Sequence, residues 1–275
     1  MKPSRPPLSV VLLFLLLLGA SAQPPAPGAV KFDEFGDVPL SDIGARLDNF
    51  ANALMEQPQA KGFVVAYRSR RDLPGLSGRL VNWMRAHLIN TRGLPAERIA
   101  GVDGGVAGCI LQELWIVPPG AAPAPRRDAY QSEFEDTGST RKFDEASFYT
   151  ARSMPESYAQ TIYQSLEGFA NALRRQPRAS GYLIAYAGYW IDEWEEGEGR
   201  RRRKRRQVHA EAPGAARREL ARVKASLANN HGIRATRIKV VDGGHRKWSS
   251  MELWIVPPGE HPPIPTPSVF PKGRR

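Results

Sequence analysis

The string ELWIVPPG occurs twice in this chain, at residues 113–120 and 252–259. A repeated octapeptide that contains tryptophan is too specific to arise by chance, so any fold has to accommodate a duplicated unit. A second block supports the duplication, because 13 of 25 residues are identical between residues 43–67 and 162–186. The spacing between the two blocks is 20 residues longer in the second copy, which indicates an insertion there.

Apolar positions that both copies share predict the elements of the fold. Five of them recur at the spacing of one helical face: Ile43, Leu47, Phe50, Ala51 and Leu54, matched by Ile162, Leu166, Phe169, Ala170 and Leu173. A short β-rich run, a second amphipathic helix, a strand and an Asp-Gly-Gly turn follow in each copy. We therefore expect an α/β (α+β) two-layer sandwich of two duplicated β-α-β-α-β-β modules, each a small mixed sheet with two helices.

The repeated ELWIV is expected to be the last strand of each module. Alternation along a strand would place leucine and isoleucine on one face and tryptophan and valine on the other. The recurring tryptophan could serve as a ligand platform, but packing against the sheet is the simpler interpretation and the one we favour.

The first residues predict a signal peptide over residues 1–22. Lys2 and Arg5 precede an apolar run from Leu8 to Leu18, and the small residues at 20–22 suit a signal peptidase. An uncleaved anchor is the alternative. After cleavage we expect no transmembrane span and an extracytoplasmic protein, located in the periplasm or cell envelope or secreted.

The repeat also sets the expected domain boundaries. We expect a first module over residues 28–120, a Pro/Ala-rich linker over 121–140, and a second module over 141–259 with a charged insertion at about 188–213. A proline-rich, disordered tail is expected over residues 260–275.

Charge and cysteine content restrict the partners. The formal net charge of +11 would draw the protein to acidic polymers or membrane surfaces through a field that salt screens. The single cysteine, Cys109, excludes an internal disulfide, and we expect it to be a small buried hydrophobe. A dimer through an intermolecular disulfide at Cys109 is the alternative.

The insertion has the most unusual local sequence, WIDEWEEGEGRRRRKRR at residues 190–206. Five acids precede seven consecutive bases, and we expect the two blocks to satisfy each other as a flexible hairpin across Gly197 and Gly199. Alternatively the insertion binds acidic envelope glycans or lipid head groups, binds nucleic acid, or is cut by a basic-site protease. Export argues against nucleic acid. The candidate electrostatic patch comprises Arg200, Arg201, Arg202, Arg203, Lys204, Arg205 and Arg206.

Trp190 and Trp194 lie beside this block and could stack on sugar rings. Because the first copy lacks both residues, any such role belongs to the second copy alone.

The order of elements, with Gly-x-x-x-x-Arg-Ile at residues 93–99 and 232–238 and a glycine turn after it, resembles the C-terminal domain of OmpA-like proteins. The resemblance implies a β-α-β-α-β sandwich in the bacterial envelope that grips peptidoglycan. In that family the grip uses the aspartate of a Thr-Asp pair and an arginine on the second helix. This chain lacks the Thr-Asp pair, so the motif is not intact, while Arg79 and Arg218 are the tentative ligand-binding counterparts of the arginine.

Patterns typical of enzymes do not occur. The five histidines lack zinc-protease spacing, and we expect neither a metal nor a cofactor. Glu113 and Glu252 recur, but the pattern places no second carboxylate beside them. We expect an exported, non-catalytic envelope protein with a binding or structural role, whose partners are acidic polymers such as peptidoglycan, glycans or lipid head groups. The alternative is a secreted hydrolase of envelope or glycan polymers, with the insertion as its substrate loop.

Overall fold

The computed structural model of the chain describes residues 28–124, 126, 138–148, 161–196 and 202–269. The predicted signal peptide lies outside these residues. The described chain is a mixed α/β structure with two sheets and four α-helices, which confirms the expected fold class at this level. We call residues 28–126 the first half and residues 138–269 the second half.

The first half forms a four-stranded sheet. Its elements are β1 (Val30–Phe35), α1 (Leu40–Met55), β2 (Lys61–Arg68), α2 (Leu76–Ala86), β3 (Ile99–Val106) and β4 (Leu111–Val117). The strand order is β1-β4-β2-β3. β4 is antiparallel to both of its neighbours, whereas β2 and β3 run parallel, as expected for two strands joined by a helical crossover.

The second half forms a five-stranded sheet. Its elements are β5 (Arg141–Ala146), a 3-10 turn (Ile162–Ser165), α3 (Leu166–Arg175), β6 (Ser180–Glu196), β7 (Arg203–Ala210), α4 (Ala215–Asn229), β8 (Ile238–Arg246) and β9 (Ser250–Val256). β9 lies between β5 and β6, and β6 pairs in parallel with β8. The outer part of β6 pairs with β7 instead.

The helices pack on one face of each sheet, over a core of alternating strand residues. In the first half Leu114 and Ile116 of β4 lie in the same apolar cluster as Leu47 and Phe50 of α1. Gly62 permits the close approach of helix and sheet, because a Cβ atom there would lie 2.6 Å from Leu54 Cδ1. Gly181 holds the corresponding place in the second half. This requirement explains why the glycine occurs in both copies.

The opposite face of each sheet carries the recurring tryptophan. Trp115 and Val117 join Val65, Tyr67 and Leu111 in a separate buried cluster on the outer face of the first sheet. The expected division of the strand ELWIV between two faces is therefore confirmed for the first half, and Trp115 is a buried packing residue.

The proline-rich segments after each repeat lie on these outer faces. The backbone N–H of Arg126 donates to the Tyr67 hydroxyl at 3.1 Å, and that of Thr266 donates to the Tyr186 hydroxyl at 3.0 Å. The expectation of a disordered tail is wrong for residues 260–269, because Ser268 N–H also bonds to the carbonyl of His245 at 2.8 Å. Composition suggested an unfolded spacer, but these hydrogen bonds give the segment a defined path.

Within the described ranges, every helix is too short or too polar to cross a lipid bilayer.

Candidate functional site

The charged insertion forms a two-stranded antiparallel ribbon. Residues 189–196 of β6 pair with β7, so that the acidic strand lies directly opposite the basic strand. Glu193, for example, faces Arg206, and Glu195 faces Lys204. The expected pairing of the two charge blocks is therefore confirmed, in a regular ribbon. We call residues 189–196 with 203–210 the charged ribbon.

Ion pairs between the two strands are short but open to water. Arg205 Nε lies 2.5 Å from a carboxylate oxygen of Glu196, and Arg206 Nε lies 3.8 Å from one of Glu193. All four side chains are more than half exposed, so each pair contributes at most about 1 kcal/mol. The arginine side chains are thus held by weak ion pairs, whereas the strand itself is held by its backbone pairing with β6.

Alternation along the ribbon divides the predicted site residues between two faces. Trp194 is 47% exposed and shares its face with Arg203 and Arg205. Lys204 and Arg206 lie on the other face. The structure brings Trp194 together with two predicted bases, while Arg200, Arg201 and the side chain of Trp190 lie outside what it describes.

Arg79 lies at a contact between the two halves. Its Nε atom is 3.0 Å from Oδ2 of Asp144, a fully buried carboxylate of β5, and the Ser165 hydroxyl donates to the same oxygen. Gly75 N–H donates to the Phe143 carbonyl at 2.9 Å, and the Asn82 side chain donates to a backbone carbonyl of the 3-10 turn at 2.7 Å. Arg79 therefore joins the halves of this chain.

Arg218, the counterpart of Arg79 on α4, has a different setting. It is exposed and donates to the carbonyl of Pro213 at 2.9 Å. The counterpart of Asp144 is Asp33 in β1, which pairs with Arg46 of its own half at 2.6 Å. Arg46 occupies the helix position that Ser165 holds in the second half. The two copies therefore satisfy the same aspartate with arginines from different places.

A second difference between the copies lies on the same helices. Trp83 of α2 is buried, whereas its counterpart on α4, Arg222, is exposed and pairs with Glu219 at 3.2 Å. At this helix position α2 therefore has a buried side chain in the core of the first half, whereas α4 has an exposed charge.

The recurring glutamates form buried polar clusters. Glu113 accepts hydrogen bonds from Lys31 Nζ at 2.9 Å, Tyr67 Oη at 3.1 Å and Trp115 Nε1 at 3.0 Å. Lys31 also lies over the Trp115 ring, 5.2 Å from its centre. Sequence reasoning missed this cluster, although all four of its residues recur in the second copy and that recurrence is the signal that could have found it.

The second copy of the cluster gains an arginine. Glu252 accepts from Lys142 at 2.8 Å, Trp254 at 2.9 Å, Tyr186 at 3.4 Å and Arg246 at 2.9 Å. The guanidinium of Arg246 also lies 3.5 Å from the centre of the Tyr186 ring. Every donor around Glu252 is thereby fixed by a strand of the sheet.

The pKa shifts follow from these contacts. Burial raises the pKa of the Glu252 carboxyl, but the hydrogen bonds from Lys142, Trp254 and Arg246 outweigh it and hold the pKa below its ordinary value. Glu252 therefore stays ionised at neutral pH, and hydrogen bonds occupy its oxygens, which is typical of a structural ion cluster more than of a general acid or base. In the first half, burial raises the pKa of Tyr67 to about 12.

Cys109 is exposed, so the expectation of a buried cysteine is wrong. The residue lies in the turn between β3 and β4, where apolar character does not imply burial. Its counterpart Trp248, in the turn between β8 and β9, is 70% exposed. Cys109 has no disulfide partner among the described residues, and an intermolecular disulfide at Cys109 stays an untested alternative.

Metal ligands do not cluster in the part of the chain that the structure describes, where no group of three or more His, Cys, Asp or Glu side chains is placed to hold an ion. No protein-family model matches the sequence. No curated protein matches it either, so the proposals below rest on geometry and on the pattern of the repeat.

Proposed function

We propose that the chain is an exported, non-catalytic envelope protein with a binding role, built from two OmpA-like modules. Each module is a two-layer β-α-β-α-β-β sandwich, and the second carries the charged ribbon between its third and fourth main elements. Its partners are acidic polymers of the envelope.

Matching sheet geometry supports the duplicated module. Both sheets place the last strand between the first and second strands, and both pair the second strand in parallel with the strand after the second helix. The first strand of each half shifts register at the same place, between Lys31 and Asp33 and between Lys142 and Asp144. β-Bulges are conserved within protein families, so a bulge at the same place in both halves supports a common origin of the two modules.

The observation that carries the binding role is the exposed face of the charged ribbon. Trp194 offers a flat aromatic surface, and Arg203 and Arg205 beside it offer guanidinium groups that bind carboxylate or phosphate in bidentate fashion. Because Glu196, the acid that pairs with Arg205, is exposed, replacing it with an anion of a polymer costs little. The recurring Glu113 and Glu252 are engaged by structural partners, which supports a role in stability over one in catalysis.

A co-sedimentation experiment with insoluble peptidoglycan tests this proposal. The mature full-length chain is compared at low and high salt with Trp194→Ala and with Arg203→Gln/Arg205→Gln. The matched control is Lys204→Gln/Arg206→Gln, which removes the same charge from the opposite face. We expect the first two variants to lose most of the retention and the control to keep it.

Three other outcomes would contradict the proposal in different ways. Equal loss in both double variants, with retention only at low salt, would show attraction by net charge alone. Retention of every variant in high salt would place the wall-binding site on the modules, despite the missing Thr-Asp pair. Release of soluble sugar fragments during incubation would favour the hydrolase. Separately, N-terminal sequencing of protein exported from a bacterial host is expected to begin at Gln23.

A further inference from the structure

The outer face of the second sheet holds the chain's own proline-rich tail. The tail segment is residues 260–269, and its centre is Thr266. The Thr266 N–H donates to the Tyr186 hydroxyl at 3.0 Å, and Arg246 Nε donates to the Thr266 carbonyl at 3.1 Å. Arg246 also donates to the Thr266 hydroxyl. One residue of the tail is therefore held through its N–H, its carbonyl and its side chain.

The sequence of the tail suits this mode of contact. Prolines at 262, 263, 265 and 267 carry no N–H and fix φ near −65°, which keeps the segment extended before it binds. Thr266 and Ser268 are the residues beside Pro267 that retain a donor, and both donate, Ser268 to the carbonyl of His245. Folded domains that recognise proline-rich peptides bind them on aromatic-lined surfaces and use the extended conformation that such peptides already hold.

The groups that hold the tail are also held by contacts within the sheet. Arg246 is 2.6 Å from Glu145 and 2.9 Å from Glu252, and its guanidinium stacks on the Tyr186 ring. All of these residues belong to strands of the sheet. A preorganised site of this kind loses little entropy when a ligand binds.

The first half treats its own proline-rich segment in a related way. Tyr67 accepts from the backbone N–H of Arg126, and the Arg126 guanidinium lies 3.5 Å from Glu34, the counterpart of Glu145. Here the segment supplies the arginine, and Ala107 stands where the second half has Arg246. Both halves thus place a proline-rich segment on the hydroxyl of the equivalent tyrosine, with different contacts around it.

The tail itself is weakly anchored. Its apolar side chains point mostly to water, with Ile264 83% exposed and Val269 91% exposed. Segments with few buried apolar contacts open at small cost in free energy. A tail that opens readily leaves a formed site behind.

We propose that Tyr186, Arg246 and the strand backbone around them form a binding site for a Pro-X-Pro segment of another polypeptide, where X carries a backbone N–H and a hydroxyl. The tail segment occupies this site in cis and competes with the external ligand. The site is separate from the charged ribbon, so it stands or falls independently of binding to acidic polymers.

The test uses the full-length chain and a fluorescein-labelled peptide with the sequence of residues 260–269. Thr266→Pro removes the N–H and the hydroxyl at position 266, which frees Tyr186 and weakens the hold of the tail on the site in that variant. We expect the variant to bind the peptide at least about tenfold more tightly than the wild type, because a tethered tail competes at an effective concentration in the millimolar range. Fluorescence anisotropy measures both affinities, and circular dichroism verifies that the variant is folded.

Two controls address the contacts themselves. A peptide that carries proline in place of Thr266 is expected not to bind, and Tyr186→Phe in the released variant is expected to weaken binding at least about fivefold, the value of one hydrogen bond near 1 kcal/mol. A folded Thr266→Pro chain that ignores the peptide at millimolar concentration would overturn the proposal. Equal binding of the two peptides would do so as well.

Hydrogen exchange in the wild type provides a second measurement that does not depend on a variant. The Thr266 amide is expected to exchange far faster than amides in the centre of β6, and excess peptide is expected to accelerate it further. Protection of Thr266 as strong as that of β6, with no response to the peptide, would show a permanent structural strap and would refute the idea.

Discussion

Replacing Arg79 with alanine is the most direct test of the contact between the halves. The substitution removes two donors from Asp144, Nε at 3.0 Å and a terminal nitrogen at 3.4 Å. Asp144 is fully buried, while the Arg79 side chain is 13% exposed. Among the described residues, the carboxylate would keep the Ser165 hydroxyl and the N–H of Glu145, at 2.8 Å, as partners.

The expected loss follows from this geometry. Removing one partner of a fully buried ion pair costs about 3–5 kcal/mol, because an uncompensated charge is left in the interior. Two donors remain at Asp144 and water can enter along the former path of Arg79, so we expect about 2–3 kcal/mol for Arg79→Ala. Against a total of about 5–15 kcal/mol for a folded domain, this is a large fraction.

Urea unfolding followed by circular dichroism measures the effect, and the repeat offers a matched control. Arg218→Ala removes the same side chain from the same helix position, where it is exposed, and is expected to change the free energy of unfolding by less than about 0.5 kcal/mol. Asp144→Asn and the double variant complete a mutant cycle, with an expected coupling energy of about 1–2 kcal/mol. If Arg79→Ala destabilises no more than Arg218→Ala, or if the coupling is zero, the ion pair does not hold the halves together.

Further predictions concern packing, titration and the free thiol. Gly104→Ala would place a Cβ atom 2.3 Å from the Tyr67 ring and is expected to cost about 1–3 kcal/mol, whereas Gly108→Ala meets nothing within 4 Å and should be neutral in the same urea assay. Because the pKa of Glu252 is lowered on folding, its stabilisation is complete above its ordinary pKa near 4.5 and is lost as the pH falls through the folded value. In the Glu252→Gln variant the melting temperature should therefore fall less as the pH is lowered, and the same fall as in the wild type would contradict this assignment. Tyr67, with a pKa of about 12 against 10.0 in a free chain, should lose its contribution between pH 10 and 12, a slope that Tyr67→Phe removes in the same melts. Cys109 should react with one equivalent of Ellman's reagent in the native protein, and reaction only after denaturation would refute its exposure.

Local elements could be predicted from the sequence because local chemistry determines them. The helical spacing that begins at Ile43 and Leu47 and the proline at position 58 define α1. The prediction of a turn at each Asp-Gly-Gly is wrong, because residues 103–105 lie within β3 and residues 242–244 within β8, and the chain turns only after Val106 and Arg246. The pairing of acids with bases in the charged ribbon could also be predicted, since adjacent blocks of opposite charge separated by glycines favour a hairpin.

The contacts between distant residues could not be predicted in this way. Arg79 and Asp144 are 65 residues apart, and comparison of the copies hid their contact because the second copy has no equivalent pair. Cys109 was assigned to the core from its type, although its place in a turn decides its exposure. The prediction of a disordered tail rests on its proline content, which determines how stiff the segment is but not whether it binds to the sheet.

Asp33 and Asp144 occupy equivalent positions but have different partners, so the two halves are not interchangeable in the contact between them. The first half presents an arginine, Arg79, to its neighbour, and the second half receives it at Asp144, which has no arginine partner from its own half among the described ion pairs. At the other end, Arg46 already neutralises Asp33, so the first half has no acceptor to offer to a further copy. Head-to-tail contacts that do not close generate fibres unless something stops them. The contact from an arginine of α2 to an aspartate of β5 therefore joins the two halves once, and the equivalent aspartate of β1 is already paired within its own half.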